Sequence, residues 1–147
     1  MPAGDPPTTI VVDASVAVRW VVPERGSAAA AALLDGPRTW LAPRLLITEV
    51  ASALRRKVAG RELTAPVAIG ALAAIVDAVR DGVIRLADDE DLAGSALALA
   101  LALERKLPDC MYLALAEREG AALATADKAL ALMARRRGVA VLTVPSA

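Results

Sequence analysis

The chain has 147 residues, a length that suits one domain with a buried core. Its 17 Lys and Arg balance its 17 Asp and Glu, so no global field draws a polyanion and any such attraction must be local. One cysteine and no histidine exclude an internal disulfide framework and zinc centres built on His and Cys clusters.

Residues 1–8, rich in proline, read as a flexible lead-in. They carry neither a basic n-region nor an apolar h-region, so an unexported, cytoplasmic protein is expected. Residues 10–12 form a short β-branched run of the kind buried on both faces of a sheet. Asp13-Ala14-Ser15 ends it, and a short helix is expected over 16–22, up to Pro23. A helix over 27–34 and a strand over 39–41 follow. Pro43 suits a helix start, and that helix extends to about Ala59, with Gly60 as its stop. Thr64 caps another helix to about Arg80. The longest uncharged apolar stretch, 63–76, falls short of the ~20 residues of a membrane span. A strand over 83–86, a helix over 88–103, a helix from Asp109 to Gly120, a strand over 121–125, a helix from Asp127 to near Gly138 and a strand over 139–144 complete the order. Strands alternate with helices, the pattern of a single α/β domain over 9–147 with a mostly parallel sheet. Such sheets work at the carboxyl ends of their strands.

Four acids stand where their neighbours predict apolar packing. Asp13 follows Thr9-Ile10-Val11-Val12, and Asp127 follows Leu123-Ala124-Thr125-Ala126, both just past a strand end. Glu49 lies between Leu45 and Ala53 at the rim of an apolar helix face, with Arg44, Thr48, Ser52 and Arg55 on the solvated face. Asp109 shares the stripe of Tyr112, Leu113 and Ala116. Each has a structural alternative: a turn or helix cap for Asp13 and Asp127, a dipole-matched first turn for Asp109, an exposed edge for Glu49. Together they point further. Like charges at ~4 Å repel by roughly 4 kcal/mol at an effective dielectric near 20. Without a cation such a cluster raises its own pKa values or loosens. Oxygen-only donors suit Mg²⁺ or Mn²⁺, which keeps waters free for hydrolysis.

Four pieces in this order resemble a PIN-domain nuclease, most closely the VapC toxins of type II toxin–antitoxin pairs. They are 11–20 (Val-Val-Asp-Ala-Ser-Val-Ala-Val-Arg-Trp), Ala42-Pro43 with 48–51 (Thr-Glu-Val-Ala), 108–116 (Pro-Asp-Cys-Met-Tyr-Leu-Ala-Leu-Ala) and 125–128 (Thr-Ala-Asp-Lys). The resemblance implies a three-layer α/β/α domain with a five-stranded, mostly parallel sheet. It also implies an Mg²⁺- or Mn²⁺-dependent endoribonuclease, a VapB-type antitoxin partner, an RNA substrate and a homodimer. Carried over by position, Asp13, Glu49, Asp109 and Asp127 become the acidic quartet. The resemblance implies Asp13 and Asp109 as direct metal ligands, Asp127 as a ligand directly or through water, Glu49 completing the pocket, and Ser15 and Thr125 in support. Cys110 stands where the family more often has alanine and is expected to be packing. A phenylalanine common near Leu130 is absent.

Other features are read more plainly. Arg55-Arg56-Lys57 with Arg61, and Arg135-Arg136-Arg137, close helices as dipole-matched cations, with phosphate contact as the alternative. Asp88 to Asp91 is expected to cap a helix rather than hold metal. With no Phe, base-stacking platforms are lacking. The alanine-rich helices over 63–79 and 92–103 are expected to be mostly core, with part left for a dimer or partner-helix interface, and Trp20 and Trp40 are expected to be buried. A haloacid-dehalogenase-type phosphatase is disfavoured, because it needs a second Asp where Ser15 stands. A PIN-like module that binds antitoxin or RNA without cleaving is the remaining rival.

Overall fold

Five short parallel strands set the frame of the computed structural model, which describes residues 8–146. The elements run β1 (Thr9–Val12), α1 (Ala14–Val21), α2 (Ser27–Ala32), β2 (Thr39–Pro43), α3 (Leu45–Ala59) and α4 (Ala65–Arg80). They continue β3 (Ile84–Ala87), α5 (Asp89–Leu103), α6 (Leu107–Glu119), β4 (Ala122–Thr125), α7 (Lys128–Arg136) and β5 (Val141–Thr143). The lead-in expected over residues 1–8 lies outside the described residues except for Thr8, whose carbonyl accepts from the Thr39 amide at 2.6 Å.

The strand order is β3-β2-β1-β4-β5, with every pair parallel. The chain therefore moves outward from β1 through β2 to β3, then returns to lay β4 on the other side of β1. That reversal between β1 and β4 is the switch point at which open α/β sheets leave a crevice. Val12 is in register with Ala124, and the Asp13 amide donates to the Ala124 carbonyl at 3.2 Å. The residues that follow the two strands, Asp13 and Asp127, thus emerge at the same end of the sheet.

Ile10, Val11, Val12, Leu123 and Ala124 are wholly buried, as a central parallel strand covered on both faces requires. Helices flank the sheet in a three-layer α/β/α arrangement. Helices α1 to α4 pack on one another, α5 packs on α6, and α6 lies against β1, β2 and β4. Each fully buried Leu, Ile or Val contributes ~1.5–3 kcal/mol to this core. Gly120 ends α6 with φ at 60°, a left-handed conformation that glycine adopts without a Cβ penalty. The turn sends the chain directly into β4.

Three local expectations are corrected. Pro43 closes β2, paired with Ala87, and does not open the next helix. The bond to the Ala87 carbonyl is made by the Arg44 amide at 2.9 Å, so the missing proline amide costs no pairing with β3. Helix α6 begins at Leu107, with Pro108 in its first turn, not at Asp109. The alanine-rich helices are less buried than expected. On α5 only Leu92 and Ala96 are buried, and on α4 only Ala68, Ala71 and Ile75. Val67, Ile69, Leu97 and Leu101 stand exposed. Trp40 is buried and Trp20 half-buried, the two rings meeting edge to face at 4.8 Å. Among the described residues, no helix is long and apolar enough to cross a membrane.

Candidate active site

Asp13 is the most buried acid, only 5% exposed, and its carboxylate is held at both oxygens. Ser15 Oγ donates to Oδ1 at 2.5 Å, and the Val16 amide donates to the same oxygen at 3.2 Å. Thr125 Oγ1 donates to Oδ2 at 2.5 Å. The helix-cap reading of Asp13 therefore holds, since the Val16 bond closes the N-terminus of α1. Cap and site are the same residue. Ser15 Oγ accepts from the Ala126 amide at 2.9 Å, and Thr125 Oγ1 accepts from the Asp127 amide at 3.0 Å. The two hydroxyls thereby tie the ends of β1 and β4 together.

Asp127 divides its oxygens in a similar way. Oδ1 caps α7 through the Ala129 and Leu130 amides at 2.9 and 3.1 Å, while Oδ2 lies 3.8 Å from Arg105 Nη2. Asp109, in the first turn of α6, receives the same guanidinium nitrogen at 2.8 Å. Glu49 reaches in from α3 and accepts from the Tyr112 hydroxyl at 2.6 Å. Tyr112 is 2% exposed, and a buried phenol requires such a partner.

Burial pushes the Asp13 carboxyl up from 3.8 to about 6, against the pull of Ser15, Thr125 and the Val16 amide, and the Asp109 charge adds to the rise. Glu49 is raised first by burial, opposed by the Tyr112 hydroxyl and raised again by Asp109. Asp109 is raised by burial and by Asp127, with Arg105 opposing. All four carboxylates thus belong to one electrostatic group centred on Asp109. Burial also raises the Tyr112 phenol, and the Glu49 charge raises it further, so it stays a proton donor.

Among the described residues, no three acidic or thiol side chains already stand as a formed metal-holding group. Each carboxylate is turned onto a partner of its own: hydroxyls for Asp13, the phenol for Glu49, the guanidinium for Asp109 and Asp127. The donor set itself, four carboxylates with hydroxyl support and no nitrogen or sulfur ligand, fits a hard divalent cation such as Mg²⁺ or Mn²⁺. Cys110 is wholly buried, with its thiol raised by burial, which agrees with a packing role.

Beside the quartet lies a cavity of about 390 Å³ whose lining includes Ser15, Arg19, Glu49, Arg56, Lys57 and Glu62. Its cations are largely committed. Lys57 Nζ is 2.6 Å from Glu24 and 3.3 Å from Glu62, and Arg19 is 3.5 Å from Glu24. At the end of α7, Arg137 is bound to Glu117 through both carboxylate oxygens. The Asp88 to Asp91 run, expected to cap its helix, opens α5 with no side-chain cap bond, and two of its carboxylates reach the start of α3 instead. Asp88 pairs with Arg44 at 2.6 Å, and Asp89 Oδ1 accepts from the Leu45 amide at 3.2 Å, which places that amide at the start of the Glu49 helix.

Two site residues escaped the sequence reading. Arg105 hides in Glu104-Arg105-Lys106, a run that resembles solvated surface; its only signal is the i, i+4 spacing to Asp109. The Tyr112 hydroxyl is signalled only by the need of a buried phenol for a partner.

A family model described as PIN domain matches residues 10–136. The solved structure of Mycobacterium tuberculosis VapC20, described as a sarcin-ricin loop cleaving toxin, is 19% identical with a TM-score of 0.66, over 84% of this chain and 94% of that one. PAE2754 from Pyrobaculum aerophilum is 20% identical with a TM-score of 0.68, over 91% and 90%. FitAcB from Neisseria gonorrhoeae is 14% identical with a TM-score of 0.58, over 91% and 96%. No functionally curated protein matches the chain. With five parallel strands in this order and a family model matching residues 10–136, the chain belongs to the PIN domain family.

Proposed function

We propose that residues 9–147 form one PIN domain that acts as a VapC-type toxin, a divalent-metal-dependent endoribonuclease. What supports this reading is that Asp13, Glu49 and Asp127 each interact electrostatically with Asp109, near the β1–β4 switch point. Likeness to the VapC20 toxin adds to the reading.

Asp13, Asp109 and Asp127 would hold Mg²⁺ or Mn²⁺, with Glu49 completing the pocket. The ion, when bound, supplies positive charge for a phosphodiester and lowers the pKa of a water to be used as the nucleophile. The chain's own residues prepare that site. Ser15 and Thr125 fix the Asp13 oxygens, so this carboxylate loses little entropy when it binds a cation. Tyr112 orients Glu49 and, with its proton retained, cannot compete as an anion. The partners that go with this reading are an RNA substrate, a VapB-type antitoxin and a second copy of the chain. The exposed Val67, Ile69, Leu97 and Leu101 provide apolar surface for the two protein partners.

The test is cleavage of total RNA by protein purified without a partner, with Mn²⁺ or Mg²⁺ and with EDTA, beside Asp13→Asn and Asp109→Asn. Discrete fragments should appear with metal, and each substitution should slow their formation by at least ~10²-fold, the scale of losing one electrostatic contact to developing charge. Cleavage that survives both substitutions would sink the reading. One observation favours a non-catalytic module that binds antitoxin or RNA: the acids do not already form a metal-holding group. On that alternative, folded protein leaves RNA intact with either metal, and Asp13→Asn changes no binding.

A further inference from the structure

The acidic site contains a cation of its own. Arg105 follows Glu104, a non-glycine residue at φ 52° that ends α5, and the turn aims the guanidinium back over the first turn of α6. Its Nη2 lies 2.8 Å from Asp109 Oδ2 and 3.8 Å from Asp127 Oδ2. Its Nε is buried with no hydrogen-bond partner. An arginine placed only for stability would be expected to direct that donor at an acceptor. Here the side chain gives up one donor and keeps its charge between two carboxylates. Asp13 and Glu49, at the other end of the site, have only neutral side-chain donors.

We propose that Arg105 is a built-in counter-cation that holds Asp109 and Asp127 apart from a divalent ion and must be displaced before they can serve as ligands. The inference rests on the metal-site reading above and adds to it a residue that sets the affinity. A guanidinium and a divalent ion cannot both occupy the space between two carboxylate oxygens, and their charges repel at that range. Without metal, Arg105 sits between the two acids and links the turn after α5 to the first turn of α6. With metal, it is released to the rim, where a polyanion would meet it.

The experiment is calorimetric titration of Mn²⁺ into partner-free wild type, Arg105→Gln, Arg105→Lys and Asp109→Asn, together with thermal unfolding of each in EDTA. Arg105→Gln should bind Mn²⁺ about tenfold more tightly, as expected when a like charge leaves the ion's neighbourhood. In EDTA its unfolding temperature should fall, because two carboxylates lose their cation. Arg105→Lys should keep an affinity nearer that of wild type. Suppose wild type binds Mn²⁺, Asp109→Asn does not, and Arg105→Gln binds no tighter. Then the metal site stands and the counter-cation role is overturned. If neither wild type nor Arg105→Gln binds Mn²⁺, the metal reading itself fails and takes this inference with it. An Arg105→Gln protein that binds more weakly would make Arg105 a helper of metal binding and would also overturn the proposal.

Discussion

The two ends of the acidic site solve the same problem differently. Asp13 is surrounded by hydroxyls and one amide, all neutral. Asp109 and Asp127 share a guanidinium. Neutral donors satisfy lone pairs but leave the charge itself uncompensated, so burial still pushes Asp13 up to about 6. A cation compensates charge directly, and at Asp109 it opposes the rise. One end of the site therefore buries a carboxylate without a cation, and the other offsets part of the cost of burial with a residue of the chain. A divalent ion would gain most at the first end and must compete at the second.

The largest stability effect that would break this contrast is pH. The Asp13 carboxyl titrates near 6 in the folded protein against an ordinary 3.8, so between those values the folded state holds a proton that the unfolded state has lost. Stability in EDTA should then be full below about pH 4, decline as pH rises to about 6, and level off above it. The loss amounts to about 3 kcal/mol at most. Denaturant melts across pH 4–8 measure it, and Asp13→Asn should flatten the slope. A slope of opposite sign in this window would mean that the hydroxyls stabilise the anion more than burial opposes it.

Replacing Thr125 by Val sharpens the comparison at the next scale. It removes the donor to Asp13 Oδ2 and the acceptor of the Asp127 amide, at nearly constant volume. A cost of ~1–3 kcal/mol is expected for the buried groups left unpaired, read as a lower midpoint in urea. Thr125→Ser should restore most of it, because the hydroxyl does the work. The smallest effect belongs to an exposed pair. Arg44 and Asp88 meet at 2.6 Å with both side chains largely in solvent, and such pairs contribute little. Arg44→Ala should leave the melting temperature unchanged within error, in contrast to Arg105→Gln, although both break an arginine–aspartate pair.

Much of this could be read before any coordinates. Short β-branched runs, alanine-rich stretches and the Gly, Pro and capping residues between them placed the five strands and seven helices of the described residues in order, because such signals are local. The odd position of a carboxylate in an apolar run marked Asp13, Glu49, Asp109 and Asp127 for the same reason. Less was legible where composition stands in for packing. Alanine-rich α4 and α5 look like core by hydropathy, yet only one stripe of each is buried, since each packs by one face, α4 on α1, α3 and β3 and α5 on α6. Pro43 suits a helix start and a strand end equally, and its pairing with Ala87 decided between them.

The sequence by itself determined the alternating α/β order and singled out the four acids proposed for the site, both of which follow from residue type and near neighbours. Only the tertiary structure decided that Ser15 and Thr125 hold opposite oxygens of Asp13, that Tyr112 serves Glu49 from 63 positions away, and that Arg105 lies between Asp109 and Asp127. Those contacts depend on the strand order that brings β4 beside β1 and on the turn that ends α5. Distance along the chain carries no record of either.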